Sequence, residues 1–321
     1  MHITILSFAK PNHPVGYGSK AIKQKAKEMG YEARLIRKCD CQLDFTNGKR
    51  RLLYKIKPYK TDVFIVRPEF NRNYDLEAGT IRHLQYCGYT VVNKHLPVII
   101  TKNKIRTLQY LEYHHVPVPK TIVVHNREYL EQSVEKLGEF PLIIKNASGA
   151  QGRGVLYVPD KKTLSSVMDL LMEQEGEEYL IQEYVKEARC KDLRVFIVGG
   201  KIVGSMERTG KKGEFRSNFH LGGSIKKVNL SHEEKSIALK AAKVIGIEVC
   251  GVDILRTKEG PKIIEVNSNP GLEAISKIAE VDIAETIIKY AVRKAKTEQT
   301  KKENKTNLIT QKTEKYKFDK F

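Results

Sequence analysis

Gly251-Val-Asp-Ile-Leu255 and Ile263-Ile-Glu-Val-Asn267 are two apolar segments, and one carboxylate interrupts each of them, Asp253 in the first and Glu265 in the second. The polar stretch Arg256–Pro261 between them is long enough to form a turn. The alternation of side chains along a strand, with a period of two residues, places Glu265 and Asn267 on one face. We therefore predict a β-hairpin that brings the two carboxylates together.

The paired carboxylates indicate a bound cation. Two buried carboxylates side by side are unfavourable unless a positive charge neutralises them. Oxygen ligands of this charge suit Mg²⁺, which commonly binds one or two carboxylates together with the phosphates of a substrate. The segment Asn267–Leu272 then turns into a helix, whose N-terminus would favour an anion. A structural alternative stays open, in which both carboxylates lie on edge strands and form ion pairs with lysines.

Two glycine-rich segments are candidate anion-binding loops. Ser148–Gly154 lies between Lys145 and Val155 and has three glycines in its last six residues, so its backbone N–H groups can close around an anion. Glu207–Gly223 has no apolar period and contains Arg216, whose guanidinium could bind a phosphate or a carboxylate through two hydrogen bonds. For each segment the alternative is an ordinary exposed loop.

The order of the elements predicts two domains and a tail. Residues 1–100 follow the order strand, helix, strand, strand, helix, strand, which favours an α/β domain with a small parallel sheet. Residues 101–292 mix helical and strand-rich segments, which favours an α+β fold. Residues 293–321 carry ten Lys or Arg, four Asp or Glu and few apolar side chains, and this composition is typical of a disordered basic tail.

The composition argues against a membrane-spanning protein, a secreted protein and a zinc protein. The 321 residues include 57 Lys and Arg against 38 Asp and Glu, a net charge of +19, and no apolar run approaches the ~20 residues of a transmembrane helix. The N-terminus reads as a strand rather than a signal peptide, and five scattered cysteines without zinc-ligand spacing fit a reducing cytoplasm. The positive charge outside the tail suggests an anionic ligand.

In combination these segments resemble the ATP-grasp fold, and more narrowly the RimK-like α-L-glutamate ligases. The resemblance runs from about Lys104 to Tyr290, and the first hundred residues are similar to the α/β domain that precedes the ATP-grasp domain in this family. It rests on motifs in a fixed order: Lys145, the glycines at 149–154, Gln182–Ala188, Asp192-Leu-Arg194, the loop 214–223, Gly251–Arg256 and Glu265–Leu272.

The resemblance implies an ATP site and a magnesium site. Magnesium, as two ions and with Mn²⁺ as a substitute, would be held by Asp253, Glu265 and Asn267. Arg216 and Asn218 would be the catalytic residues that face the transferred phosphate. The implied nucleotide contacts are Lys104 and Lys145 on the phosphates, Gly149, Gly152 and Gly154 in a lid, Glu183, Tyr184 and Val185 around the adenine, Asp192 near the ribose or phosphates, and Arg216, Ser217 and Asn218.

The implied reaction is the formation of an amide. A carboxylate is phosphorylated by ATP to an acyl phosphate, which an amine, normally that of L-glutamate, then attacks. The residue types suit this chemistry, because phosphoryl transfer depends mainly on positioning and on charge neutralisation. The expected acceptor is the C-terminal carboxylate of a protein, such as a ribosomal protein, or glutamate itself.

Two alternatives to this function remain. A sister ligase would add glutamate to a small molecule, such as a pterin or a deazaflavin coenzyme, or to an amino-group carrier protein. A protein of another class would keep the ATP-grasp shape without catalysis and bind nucleic acid through its positive charge. We expect the protein to be cytoplasmic and to have no membrane partner. Its basic tail would contact the ribosome or another polyanion, and the sequence is compatible with a homo-oligomer.

Overall fold

A computed structural model describes residues 1–69, 74–148, 154–173, 178–188, 190–211 and 223–318, with side chains up to residue 304. The chain divides into two compact units. The first comprises Met1–Asn71, Leu76–Lys94 and Ala284–Phe321, and the second comprises Arg72–Asp75 and His95–Ile283. None of the helices within the described ranges has both the length and the apolar character needed to cross a membrane.

The first unit contains a parallel sheet with the strand order β2-β1-β6-β7, as the sequence predicts for an α/β domain. Its strand β6 is apolar as far as Arg67 and is buried along its whole length, as expected where helices cover both faces of a parallel sheet. A small antiparallel sheet, β3-β4-β5, follows β2. The elements are β1 (His2–Ser7), α1 (Tyr17–Glu28), β2 (Glu32–Arg37), β3 (Cys41–Asp44), β4 (Arg51–Tyr54), β5 (Lys57–Pro58), β6 (Val63–Arg67), α2 (Tyr74–Tyr86) and β7 (Thr90–Val92).

The second unit contains two antiparallel sheets, with the strand orders β10-β9-β11-β8 and β14-β13-β12-β15-β16. Its helices are α3 (His95–Lys102), α4 (Lys104–Tyr113), α5 (Leu130–Glu135), α6 (Lys161–Met172), α7 (His232–Ile245) and α8 (Glu273–Ser276). Its strands are β8 (Thr121–Val123), β9 (Leu142–Asn146), β10 (Val155–Val158), β11 (Tyr179–Glu183), β12 (Lys191–Val198), β13 (Lys201–Thr209), β14 (Ser224–Lys227), β15 (Val249–Thr257) and β16 (Gly260–Asn267).

One face of the five-stranded sheet packs against α7. This helix begins at a capping box formed by Ser231 and Glu234 and ends at Gly246, which adopts a left-handed conformation at φ 75°. Its apolar side chains, including Ile237 and Ala241, share a buried cluster with alternate residues of the central strands. Because strand side chains alternate, the polar residues between these apolar ones lie on the opposite face. That opposite face carries the candidate site.

The last helix, α9 (Ile283–Phe318), corrects one prediction. Residues 293–304 were expected to belong to a disordered tail, but they continue this helix. Ala295 is buried, Lys294 donates to the carbonyl of Val91 at 2.9 Å, and Thr90 donates to Glu298 at 2.7 Å. A high lysine content is compatible with a helix when one side of it packs against a domain. The helix groups with the first unit, whereas the sequence assigned its residues to the 101–292 domain and the tail.

Candidate active site

The two carboxylates that the sequence placed together are neighbours on adjacent strands. The hairpin β15–β16 forms as predicted and pairs Asp253 with Glu265 and Gly251 with Asn267. On the other side of β15, the register pairs Asp253 with Arg194 of β12. This cluster therefore lies on the face of the sheet that does not contact α7.

Two arginines hold Asp253, whose exposed fraction is only 2%. Arg194 donates from Nε and Nη2 to the two carboxylate oxygens of Asp253, at 2.5 and 2.6 Å. Arg208 donates to Asp253 at 2.7 Å and also forms two hydrogen bonds with Asp192, at 2.6 and 2.7 Å. Burial would raise the pKa of Asp253, but Arg194 and Arg208 outweigh burial and hold that pKa below its usual value. The partners of this carboxylate are thus arginines, not the lysines of the structural alternative.

Two lysines from outside the five-stranded sheet lie close to this cluster. Lys145 of β9 donates to Gln182 Oε1 at 2.7 Å and interacts electrostatically with Asp253 and Glu265. Burial, and secondly the neighbouring Lys104, lower the pKa of Lys145 to about 8. Burial also lowers the pKa of Lys104, which is the first residue of α4 and therefore lies at the positive end of that helix. Two cations so close together favour an anionic ligand.

The segment Glu183–Val185, predicted to surround the adenine, connects the two sheets. The side chain of Glu183 is already engaged, because its Oε1 accepts from the Lys120 amide and from Lys262 Nζ, both at 3.0 Å. The ring of Tyr184 meets the ring of Tyr157 edge to face, with 5.4 Å between the centroids. Burial, followed by Cys190, raises the pKa of Tyr184. Backbone atoms and ring faces, rather than the Glu183 carboxylate, are thus what this segment offers to a base.

The structure brings most of the predicted site residues into the second unit. Gly154 has a left-handed backbone at φ +71°, and an added Cβ would lie 3.0 Å from the Cβ of Asn146, so this position requires glycine. The other predicted residues that it describes are Lys104, Lys145, Glu183, Tyr184, Val185, Asp192, Asp253, Glu265 and Asn267. The predicted Gly149, Gly152, Arg216, Ser217 and Asn218 lie outside the described residues.

Sequence reasoning assigned no role to Arg194, Arg208 or Gln182. Arg194 stands two residues after Asp192, and this spacing alone could have placed both side chains on one face of a strand. Arg208 lies on β13, where it pairs with Asp192, and a pairing between strands cannot be read from spacing within one strand. Gln182 is buried and links Lys145 to Thr121 Oγ1, to which it donates at 2.8 Å.

The residues present fit a magnesium ion. Among the residues that the structure describes, Glu265 forms no hydrogen bond and no ion pair, although it lies directly opposite Asp253 on the neighbouring strand. A half-buried carboxylate that accepts no hydrogen bond is a strong ligand for a hard cation. The Asn267 Oδ1 atom accepts from the Asn269 amide at 2.9 Å, which fixes the orientation of this amide side chain. The donor set is therefore two carboxylates and one amide oxygen, which leaves further positions for phosphate oxygens.

We expect Gly251→Ala to destabilise the protein by about 1–3 kcal/mol, because Arg194 and Pro270 leave no room for a methyl group. The added Cβ would lie 2.9 Å from Arg194 Cδ and 3.1 Å from Pro270 Cβ, and Arg194 is fixed by its two bonds to Asp253. Thermal and chemical denaturation would measure the change. Gly271→Ala is the matched control, since no atom lies within 4 Å of its added Cβ. Equal stability of the two variants would contradict the packing argument.

Comparison with known proteins agrees with this geometry. The model of the RimK-like ATP-grasp domain matches residues 101–291. A probable alpha-L-glutamate ligase of Maridesulfovibrio salexigens is 34% identical over 290 residues, which cover 90% of this chain and 96% of that protein. A probable alpha-L-glutamate ligase of Thioalkalivibrio sulfidiphilus is 36% identical over 290 residues, with the same coverage of both chains.

Solved structures show the same fold. A RimK domain protein of Sphaerobacter thermophilus superposes with a TM-score of 0.69 at 17% identity, over 90% of this chain and 99% of that one. The D-alanine–D-alanine ligase of Bacillus anthracis, complexed with ATP, gives a TM-score of 0.65 at 19% identity, over 94% of this chain and 99% of that one. The predicted ATP-grasp fold is confirmed. The chain belongs to the RimK-like ATP-grasp family and is an ATP-dependent carboxylate–amine ligase.

Proposed function

We propose that this ligase adds L-glutamate to a carboxylate acceptor through an acyl phosphate. The single observation that carries the proposal is the composition of the buried cluster. Within the described part of the chain, this cluster has four cationic side chains and three carboxylates, so one positive charge remains for the phosphates of a nucleotide. The cations are Lys104, Lys145, Arg194 and Arg208, and the carboxylates are those of Asp192, Asp253 and Glu265. Relatives that carry the name probable alpha-L-glutamate ligase support the choice of amine.

Each part of the cluster has a role in this proposal. Lys104 and Lys145 bind the phosphates, and Asp253, Glu265 and Asn267 hold magnesium, as two ions and with Mn²⁺ as a substitute. When bound there, magnesium would neutralise charge on the phosphates during transfer. Arg194 and Arg208 keep Asp253 ionised and fix its orientation. The remaining proposed nucleotide contacts are Gly149, Gly152, Gly154, the Glu183–Val185 segment, Asp192, Arg216, Ser217 and Asn218, of which Arg216 and Asn218 face the transferred phosphate.

The proposed acceptor is the C-terminal carboxylate of a protein, in the manner of a ribosomal protein, or glutamate itself. A glutamate-terminated product would be a polyanion, which suits a protein of net charge +19. The same charge would favour contact with the ribosome. We place the reaction in the cytoplasm.

The direct test measures ADP release by the purified protein with ATP, Mg²⁺ and L-glutamate, with and without a glutamate-terminated peptide, while mass spectrometry follows the products. A ladder of added glutamate masses is expected. ADP release without the ladder would exclude both proposed acceptors and leave a small-molecule acceptor. Absence of ADP release with every acceptor tried would contradict the proposed reaction.

We expect the affinity for ATP to fall as the pH rises above about 8. Lys145 has a pKa of about 8 in the free protein, and phosphates bind its protonated form. Bound phosphate raises that pKa, so proton uptake accompanies binding above pH 8 and the affinity declines by up to about tenfold per pH unit. Titration calorimetry from pH 7 to pH 9.5 would measure this decline. Lys145→Arg stays protonated throughout and should give a flatter profile. A flat profile for the unmodified protein would disprove the assignment.

A further inference from the structure

A series of hydrogen bonds crosses the four-stranded sheet and ends at Lys145. Lys145 Nζ donates to Gln182 Oε1 at 2.7 Å, and Gln182 Nε2 donates to Thr121 Oγ1 at 2.8 Å. The Thr121 hydroxyl donates in turn to the backbone carbonyl of Pro119, also at 2.8 Å. The three side chains come from β9, β11 and β8, and the register pairs Gln182 directly with Thr121. We call this series the Gln182 network.

The Gln182 network lies on the face of the sheet that is turned away from its apolar core. Ile144 and Ile181 belong to the buried cluster that α5 and α6 share with this sheet. Lys145 and Gln182 are the next residues along the same two strands, so their side chains point to the opposite face. Gln182 is only 3% exposed, so its polar atoms depend on hydrogen bonds within the protein.

The Pro119 carbonyl fixes the orientation of the Gln182 amide. A carbonyl oxygen can only accept, so the one hydroxyl proton of Thr121 is used on Pro119, and the hydroxyl oxygen accepts from Gln182 Nε2. The amide oxygen must then face Lys145. The reverse orientation would place the amide NH₂ group against the ammonium group, and donors would face donors in a buried position.

The neutral Gln182 side chain holds the Lys145 ammonium without cancelling its charge. Among the residues that the structure describes, Gln182 Oε1 is the hydrogen-bond acceptor of this ammonium, which has three N–H groups. Two N–H groups and the positive charge are therefore left for an anion. Because a lysine side chain is long and flexible, a fixed acceptor also restricts where its Nζ atom lies.

We propose that Gln182 is a positioning residue for ATP, which acts through Lys145 and is itself held in orientation by Thr121. The proposal rests on the proposed function in one respect, the assignment of Lys145 to the phosphates. A misplaced Lys145 would weaken the contact with ATP in the ground state and in the transition state alike. The KM for ATP should then rise while kcat changes little.

The test removes the hydroxyl group of Thr121. Thr121→Val keeps the branched shape of the side chain, and it should raise both the dissociation constant and the KM for ATP by about tenfold, with kcat within about twofold. Gln182→Leu, which removes the amide itself, should have the same effect. Thr121→Ser keeps the hydroxyl and should bind ATP within about twofold of the unmodified protein. Titration calorimetry and steady-state kinetics would measure these values.

Thr257→Val is the matched control for Thr121→Val. Thr257 is also half-buried, its hydroxyl donates to the Gly260 carbonyl at 2.8 Å, and it accepts from the Glu259 amide at 3.1 Å. Its substitution removes the same kind of hydroxyl from the other sheet of the unit, and ATP binding should stay unchanged. If Thr257→Val weakened ATP binding as much as Thr121→Val does, the effect would be a general one and the proposal would be overturned.

A double-mutant cycle shows whether Thr121 acts through Lys145. Lys145→Met should weaken ATP binding by at least about tenfold, and the addition of Thr121→Val should cause less than about twofold further loss. The proposal is overturned if Thr121→Val weakens binding equally with and without Lys145→Met. Normal ATP binding by Thr121→Val alone would also overturn it, but would leave Lys145 assigned to the phosphates. Normal ATP binding by Lys145→Met would refute that assignment and the proposal together.

Discussion

Glu265→Gln is expected to reduce ATP turnover by about a thousandfold while the protein keeps its stability. The loss corresponds to about 4 kcal/mol of transition-state stabilisation, the scale of a metal ligand in phosphoryl transfer. Little stability is lost because Glu265 forms no hydrogen bond or ion pair with the residues that the structure describes, and the substitution removes only its electrostatic attraction to Lys104 and Lys145. Turnover by ADP release and thermal denaturation would be measured on the same preparations.

Two controls make this result specific to Glu265. Glu273→Gln makes the same chemical change at a side chain of α8 that is 58% exposed, and it should keep full activity. A direct measurement of Mn²⁺ binding by paramagnetic resonance should show weaker binding for Glu265→Gln and unchanged binding for Glu273→Gln. If Glu265→Gln bound Mn²⁺ and turned over ATP like the unmodified protein, Glu265 would not be a metal ligand.

Arg208→Met is expected to destabilise the protein by about 3–5 kcal/mol, the cost of breaking a buried ion pair. Arg208 is 5% exposed, and its removal leaves Asp192, 4% exposed, without its two hydrogen bonds. Asp192 and Asp253 raise the pKa of Arg208 against the effect of burial, so this arginine is charged at every accessible pH. Chemical denaturation would measure the loss in the free energy of unfolding.

A double-mutant cycle separates the ion pair from the loss of packing. Asp192→Asn removes the charge that loses two arginine hydrogen bonds in Arg208→Met, so the double variant should be less destabilised than the sum of the two single variants. We expect a coupling of about 2 kcal/mol, within the range for residues in one buried network. Additive effects would show that Arg208 stabilises the sheet by packing alone. Lys201→Met, at an exposed position of the same hairpin, should leave stability unchanged.

The paired strands around Asp253 and Glu265 were predictable from the sequence. Local rules suffice there, because apolar alternation defines each strand and a short turn joins two neighbouring segments. The parallel sheet of the first unit was predictable for a similar reason, since β1, β6 and β7 are mainly apolar and helices follow β1 and β6. The motifs in their fixed order also identified the family.

The tertiary structure decided what neutralises Asp253. Arg194 and Arg208 reach it from β12 and β13, which are 59 and 45 residues away in the chain, and only the register of the sheet brings the three together. The C-terminal helix likewise depends on contacts between distant segments. Its lysine-rich composition indicated disorder, but burial of Ala295 and bonds to Thr90 and Val91 stabilise it as a helix. Composition and spacing thus determined the local elements and the type of chemistry. The charge balance of the site was determined by contacts between distant segments, because sequence periodicity does not encode such contacts.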